Sequence, residues 1–325
     1  MSEALGPSAL VTGAGGFVGR HLVATLRSAG WRVVGVTRTA PGSAAGLELL
    51  SGDVLEDGFL RGILGSRHFD LVFHLAGLHA AAPRADLYRV NVLGATVLLD
   101  AVRALGRPGL RVVLLGSSAQ YGDAKENPIT EDCTNGPVSS YGASKACADM
   151  MAMVFAGETG QQVIRARAFN IVGPGQSAAF LQGSVIAQIM EAEEGRAPPV
   201  VKTGDLSACR DFVDVRDVAT GLVALATNGD AGEAYNLCSG RAVRTSYLVE
   251  SLVGLSRIPL SVEAGERKIA GVNVPYQRGS FEKLRRRTGW SPTLTLERSL
   301  VDALDQRRRE SMGRNVAVAD GAPPS

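Results

Sequence analysis

The chain has 325 residues, 45% of them hydrophobic, which is enough for one large or two medium domains with a buried core. Lys and Arg total 34 against 32 Asp and Glu, so no basic field argues for nucleic acid and no acidic run for a solvating tail. The apolar stretches are strand-length rather than membrane-length, Met1 to Ser8 lacks the charged-then-apolar pattern of a secretory signal, and Cys133, Cys147, Cys209 and Cys238 form no CxxC pair; a cytoplasmic protein with reduced thiols is expected.

In chain order, the first element is a short apolar strand, Ala9-Leu10-Val11, followed by Gly13-Ala-Gly-Gly16-Phe17-Val18-Gly19. A helix follows, with Val18, Leu22, Leu26 and Ala29 at helical spacing. Glycines at such a strand-to-helix turn let the backbone approach a pyrophosphate, which the free N–H groups of the helix start can hold. The spacing is GxxGxxG, a variant of the dinucleotide fingerprint, and a turn with no ligand is the alternative. A second strand, Trp31 to Val36, runs out as Thr37-Arg38-Thr39 with no carboxylate. An acid there would bind the ribose 2′-OH of NAD, whereas an arginine suits the 2′-phosphate of NADP, so NADP(H) is the expected cofactor, held by Thr37 and Arg38. The alternative is a surface arginine.

Strand and helix alternate up to about Phe169, which predicts a parallel sheet with helices on both faces. Within that stretch the apolar run Val112 to Leu115 leads to Ser117 and Ser118, and Tyr141 and Lys145 stand four residues apart, on one helical face. A free tyrosine titrates near pH ~10, and a neighbouring ammonium draws that value down toward a range useful for proton transfer. A lone YxxxK pair on an exposed helix is the bland alternative; a strand-end hydroxyl and a dinucleotide turn upstream favour an oxidoreductase site. His21, His68, His74 and His79 are the histidines; His74, on an apolar strand, reads as a core residue and no metal site is expected.

From Gly173 the alternation loosens, with a helix from Gly183 to about Glu194 and a turn at Arg196-Ala-Pro-Pro199. Residues 171–310 read as a smaller substrate-binding domain, after a dinucleotide-binding domain at 1–170 to which a segment near 211–237 returns. No internal repeat is visible. Residues 311–325, rich in Gly, Ala, Pro and Ser, lack an apolar period and are expected to be weakly ordered.

Further motifs stand in order: Gly52-Asp53-Val54, His74-Leu75-Ala76-Gly77, Val90-Asn91-Val-Leu-Gly94, Gly116-Ser117-Ser118-Ala119-Gln120-Tyr121-Gly, and Tyr141 with Lys145. Then come Arg167-Ala-Phe169-Asn170, Arg210-Asp-Phe-Val-Asp-Val-Arg-Asp217, Tyr235 to Gly240, and Lys283 to Pro292. From Ala9 to about Leu300 the chain resembles the extended short-chain dehydrogenase/reductase family, most of whose members act on nucleotide sugars, and within it the GDP-4-keto-6-deoxymannose reductases and their relatives. The resemblance implies a doubly wound α/β (Rossmann) fold with a second, smaller C-terminal domain. It implies that Tyr141 protonates a sugar carbonyl oxygen, that Lys145 lowers the Tyr141 pKa and bonds the nicotinamide ribose, and that Ser117 holds the substrate oxygen. Asp53 and Val54 would lie near the adenine, and Leu75, Ala76, Gly77, Asn91 and Phe169 along the cofactor. Ser118, Ala119, Asn170 and Arg210 would face a nucleotide-sugar substrate; for Arg210, a salt bridge with Asp211 or Asp214 is the structural alternative. Met150, Met151 and Met153 on the catalytic helix read as core packing; the resemblance adds that this helix pairs in the family's dimer, where adaptable methionines fit.

Departures from the family pattern narrow the reaction. Sugar-nucleotide dehydratases carry a carboxylate just before the tyrosine matching Tyr121, and Ser118, Ala119 and Gln120 offer no general base. Where relatives have Arg-Pro-x-Asp-Val-Pro, this chain has 270–275 without the arginine, with Arg267 or Arg278 as possible substitutes, so both GDP- and dTDP-sugars stay open. The expected activity is NADPH-dependent reduction of a nucleotide-linked 4-keto-6-deoxyhexose. A nucleotide-sugar epimerase with tightly bound NAD(P) and a non-catalytic NADP-binding regulator are the alternatives.

Overall fold

The computed structural model describes residues 6–38, 42–44, 46–56, 58–265 and 274–319. In chain order the strands are β1 (Ser8–Thr12), β2 (Arg32–Thr37), β3 (Gly42–Ala44), β4 (Leu47–Ser51), β5 (Leu71–His74), β6 (Arg111–Ser117), β7 (Gln162–Ala168), β8 (Asn170–Val172), β9 (Val200–Thr203), β10 (Cys209–Asp214), β11 (Ala234–Leu237), β12 (Ala242–Arg244), β13 (Ser261–Ala264) and β14 (Tyr276–Gln277). The helices are α1 (Phe17–Ser28), α2 (Phe59–Ser66), α3 (Arg84–Tyr88), α4 (Gly94–Ala104), α5 (Ser140–Thr159), α6 (Leu181–Glu193), α7 (Val215–Asn228), α8 (Thr245–Val253), α9 (Glu282–Thr288) and α10 (Leu296–Ala319).

The large sheet has the order β11-β7-β6-β5-β1-β2-β4-β3, and all of its pairings are parallel except that of β3. Its central strands are buried on both faces, and their side chains alternate between two cores. Ala9, Val11 and Phe73 join Leu22 and Leu26 of α1 and Leu222 and Leu225 of α7 on one face. Leu10, Val72 and Val112 join Leu60, Leu98 and Ala152 of α2, α4 and α5 on the other. The chain runs outward from β1 through β2 and then restarts on the opposite side of β1 with β5. Such a reversal of winding opens a crevice at the carboxyl ends of the two strands, where ligands of doubly wound sheets bind.

A smaller lobe is built from the sheet β12-β10-β14, with β8 also paired to β10, and from the pair β9 and β13. Val185, Ile189, Leu248, Leu252, Leu300 and Leu304 of α6, α8 and α10 form its core. Between β10 and β11 the chain crosses back to the large sheet: α7 packs in the core with α1, and β11 pairs with β7.

The last helix differs from the expectation of a weakly ordered tail beginning at 311, because helix continues to Ala319. Toward its C-terminal part polar contacts join the apolar face of Leu300 and Leu304: Arg308 pairs with Glu193 at 2.5 Å, and the Ser311 hydroxyl donates to Glu194 at 2.6 Å. The tail beyond 319 lies outside the described residues.

Helix α5 is pinned to β7 by a buried ion cluster. Asp149 receives Arg165 Nη1 at 2.7 Å, Arg167 Nε at 3.1 Å and Arg167 Nη2 at 2.8 Å. Burial pushes the Asp149 carboxyl up, but the hydrogen bonds and charges of Arg167 and Arg165 win and hold it below its usual 3.8. Removing the acid strands two buried guanidinium groups, so Asp149→Ala should destabilise the protein by about 3–5 kcal/mol in urea unfolding. Because the folded-state pKa is depressed, the stabilisation is full above the unfolded value and fades as pH falls through the folded one. The gap between wild type and variant should therefore persist at pH 7 and shrink in acid below 3.8. A gap independent of acid would contradict this account.

Candidate active site

The glycine turn closes directly onto the crevice. Gly13 has φ of +71°, and a Cβ there would come within 2.8 Å of Ala76 N and 2.9 Å of the Leu75 carbonyl carbon. A Cβ on Gly19 would collide with Gly13 O, so both positions demand glycine. The first turn of α1, at Phe17 and Val18, has Gly16 as its N-cap and no side-chain cap, which leaves its N–H groups aimed as an anion site. Thr37 Oγ1 stands 2.9 Å from where a Cβ on Gly15 would sit, and the exposed Arg38 follows it at the end of β2; Thr39 lies outside the described residues. Beyond β4, Asp53 is exposed and its carboxylate accepts Leu55 N at 2.9 Å, while Val54 is buried in the core. This cradle is filled by any side chain larger than glycine, and the uncapped helix start matches a pyrophosphate; the residues present fit a dinucleotide.

Past β5, His74 is buried with Nδ1 2.8 Å from Thr12 Oγ1. Burial, and secondarily the charge of Lys145, lowers its pKa to about 3, so it is a neutral packing residue at neutral pH. Leu75, Ala76 and Gly77 then line the crevice opposite Gly13. Asn91 lies in a single π-helical turn, Arg89–Leu93, a type of bulge frequent at functional sites. Its amide accepts from Leu78 N at 2.8 Å and donates to Leu78 O at 3.2 Å and Ser144 Oγ at 2.9 Å. The Asn91 side chain thus holds the loop and α5 in place. Gly77 sits so close that a Cβ would lie 2.9 Å from Asn91 Oδ1 and 3.3 Å from Lys145 Nζ.

Ser117 ends β6 and its Oγ accepts Ala119 N at 3.2 Å, starting a 3-10 turn at Ser118–Tyr121. Opposite it, Ser139 caps α5 by accepting Gly142 N at 3.0 Å. Gly142 packs on Ala119 O so tightly that a Cβ would overlap it, and this approach brings the start of α5 to the turn. The Ser117 side chain consequently stands near enough to the Tyr141 phenol to act on its ionisation. Burial raises the Tyr141 pKa and Ser117 opposes that rise. This differs from the expectation that Lys145 draws the phenol down. Lys145 Nζ donates to Leu115 O at 3.1 Å, and burial lowers its own pKa to about 8. Burial, not the lysine charge, is the largest influence on the tyrosine.

Other expected substrate and cofactor contacts are placed differently. Ser118 points inward, its hydroxyl donating to Gln277 Oε1 at 3.1 Å, so its side chain is not offered to the cleft. Phe169 is buried against Tyr121, ring centroids 6.4 Å apart, which leaves only its backbone near the end of β7. Gln120 is fully buried; its amide fits between Ser117 O and Arg167 Nε, nitrogen toward the carbonyl and oxygen toward the guanidinium. Ala119 is half-buried beneath Gly142. In the smaller lobe, Asn170 Nδ2 donates to Asp211 O at 3.1 Å, and the half-buried Arg210 donates to Cys209 O at 2.8 Å. Asp211 accepts from Ser239 N and Oγ, Gly240 N and Gly279 N, and Asp214 pairs with Arg216 at 2.8 Å. Arg278 Nε donates to Asn127 at 3.2 Å; Arg267 and residues 270–273 lie outside the described residues.

Three supporting residues escaped the sequence reading: Gly142, Asp149 and Gln277. Arg165 and Arg167, two apart on one strand face of an otherwise apolar strand, were a visible sign that a buried acid must meet them. Nothing local marked Gln277. Among the described residues no cluster of three or more His, Cys, Asp or Glu side chains is arranged to hold a metal ion, and no helix is long and apolar enough to cross a membrane.

The depressed Lys145 value can be read directly. An NMR titration following the Lys145 side chain should give a midpoint near 8, against about 10.4 for a solvated lysine. A midpoint at the ordinary value would mean that the ammonium is hydrated and the packing around it wrong.

Comparison with known proteins follows the same geometry. Residues 9–238 match the model of the NAD dependent epimerase/dehydratase family. The chain is similar to GDP-6-deoxy-D-mannose reductase of Pseudomonas aeruginosa, 33% identical over 298 residues, covering 89% of this chain and 93% of that protein. The solved structure of RMD from Pseudomonas aeruginosa complexed with NADPH superposes with a TM-score of 0.81 at 32% identity, over 93% of this chain and 100% of that one. MoeE5 in complex with UDP-glucuronic acid and NAD superposes with a TM-score of 0.82 at 30% identity, over 93% and 99%. With the glycine turn, the Ser117–Tyr141–Lys145 grouping and the doubly wound sheet in place, the chain belongs to the NAD dependent epimerase/dehydratase family, within the extended short-chain dehydrogenases/reductases.

Proposed function

We propose that the protein reduces the 4-keto group of a nucleotide-linked 4-keto-6-deoxyhexose with NADPH, in the cytoplasm. The observation that carries the reading is the turn after Ser117 packed against the start of α5, which bears Tyr141 and Lys145, with no carboxylate at 118–120. Gly13, Gly16, Gly19 and the first turn of α1 would hold the cofactor pyrophosphate, Thr37 and Arg38 the 2′-phosphate, and Lys145 the nicotinamide ribose. NADPH, when bound there, supplies hydride to the sugar carbon. Ser117 orients the carbonyl oxygen through its hydroxyl, and Tyr141, kept protonated by burial, gives that oxygen its proton. Asn170 and Arg210, on adjacent strands of the smaller lobe, would turn from their backbone partners to hold the nucleotide diphosphate, where a guanidinium fork suits phosphate oxygens.

Purified protein should oxidise NADPH when given a GDP- or dTDP-linked 4-keto-6-deoxyhexose, and should not remove water from the parent GDP-mannose or dTDP-glucose. Tyr141→Phe should lower kcat by at least roughly a hundredfold while NADPH affinity stays within about twofold, since only the proton donor is lost. Near-normal turnover of that variant would sink the mechanism; cofactor that survives dilution unexchanged would instead favour an epimerase that recycles it.

Arg38 at the end of β2 generates a second expectation. Arg38→Asp removes a phosphate partner and adds a ribose acceptor, so the ratio of kcat/KM for NADPH over NADH should fall about tenfold or more. Equal use of NADH by the wild type would remove Arg38 from the site.

The exposed apolar residues of α5 support pairing with a second copy. Met150, Met153 and Val154 are 45%, 47% and 51% exposed on this one helix. Sedimentation should show a dimer that Met153→Asp weakens; a wild-type monomer at micromolar concentration would refute the pairing.

A further inference from the structure

We propose that Gln277 is a positioning residue for Ser117, tying the catalytic turn to the strand that carries Arg210. The proposal rests on the reductase reading for its kinetic consequence, and on geometry alone for the tie itself.

Gln277 and Ser118 are 159 residues apart in sequence and meet through two hydrogen bonds. Ser118 Oγ donates to Gln277 Oε1 at 3.1 Å, and Gln277 Nε2 donates to Ser118 O at 3.1 Å. The direction is forced: a carbonyl oxygen can only accept, so the amide nitrogen faces Ser118 O and the amide oxygen takes the hydroxyl. Ser118 is 4% exposed and Gln277 6%, so neither group can turn to water if the other moves away. Ser118 adjoins Ser117, whose own carbonyl is met by Gln120. The turn is therefore gripped from two sides, and the two grips differ in origin. Gln120 belongs to the turn; Gln277 belongs to the smaller lobe.

The Gln277 end is itself fixed. In the parallel pairing of β10 with β14, Gln277 is the register partner of Arg210. The following residues hold both lobes: Ile129 N donates to Arg278 O at 2.8 Å, Gly279 N to Asp211 at 3.1 Å, and Ser280 N to Ile129 O at 2.9 Å. A displacement of β10 and β14, as when an anion is drawn onto Arg210, reaches the catalytic turn through the buried amide of Gln277. A ligand on Arg210 thus sets the placement of the Ser117 hydroxyl beside Tyr141.

The test pairs Gln277→Leu with Ser118→Ala and reads two quantities. In cofactor-free protein, amide exchange of the peptide covering 117–122 should rise by about tenfold in Gln277→Leu and less in Ser118→Ala, which keeps the bond to Ser118 O. In turnover with a 4-keto sugar and NADPH, Gln277→Leu should lower kcat about tenfold with the KM for NADPH little changed. In a Ser117→Ala background the same change should cost less than about twofold, because the residue it positions is gone. Unchanged exchange at 117–122, or an equal loss of kcat in both backgrounds, would overturn the proposal. Were the wild type inactive on every keto sugar, the reductase reading would fall and the exchange measurement would decide the tie by itself. Should Gln277→Leu not fold, Ser118→Ala carries both readouts at smaller amplitude.

Discussion

Asp149 is a carboxylate with almost no water around it, and the site is arranged about the way that charge is met. Three hydrogen bonds from Arg165 and Arg167 bind α5 to β7. Arg167 then extends the same network to the Tyr121 hydroxyl at 2.9 Å and to Glu131 O. The helix bearing Tyr141 and Lys145 and the turn following Ser117 are in this way fastened to one strand. A buried charge tolerates little displacement, because every lost partner costs desolvation that is not recovered. That rigidity suits a site whose hydroxyl and phenol must stay within hydrogen-bonding reach.

Glycine supplies the complementary constraint, closeness in place of charge. Gly13 brings the dinucleotide turn against Leu75 and Ala76, and Gly142 brings α5 against Ala119. One contact closes the crevice that would receive a cofactor, and the other sets the distance between Ser117 and Tyr141. Neither is available to a residue with a Cβ without backbone movement. The two contacts, with Asn91 bridging Leu78 and Ser144, align cofactor cradle and proton donor on a single frame.

Desolvation then sets the electrostatics. Burial is the largest influence on His74, Tyr141 and Lys145, and in each it disfavours the charged form. A neutral imidazole, a buried protonated phenol and a lysine whose pKa is lowered to about 8 stand together. Ser117 moves the phenol the other way.

Much of the fold was legible because it is written in short-range periodicity. Ala9, Leu10 and Val11 alternate between two cores as a strand must, Leu22 and Leu26 recur on one face of α1, and the glycine spacing between them marks a close turn. The four-residue interval of Tyr141 and Lys145 placed them on one helical face by the same logic. What the chain alone left open depends on partners far away in sequence. Whether Ser118 faces a cleft or Gln277, whether Phe169 lines a cofactor or packs on Tyr121, and how far burial raises the Tyr141 phenol are decided by long-range packing. So is the anchoring of α10 to α6, where Arg308 meets Glu193. Backbone geometry repeats every two or 3.6 residues and can be read from neighbours; desolvation and the pairing of buried polar groups exist only once the lobes have closed.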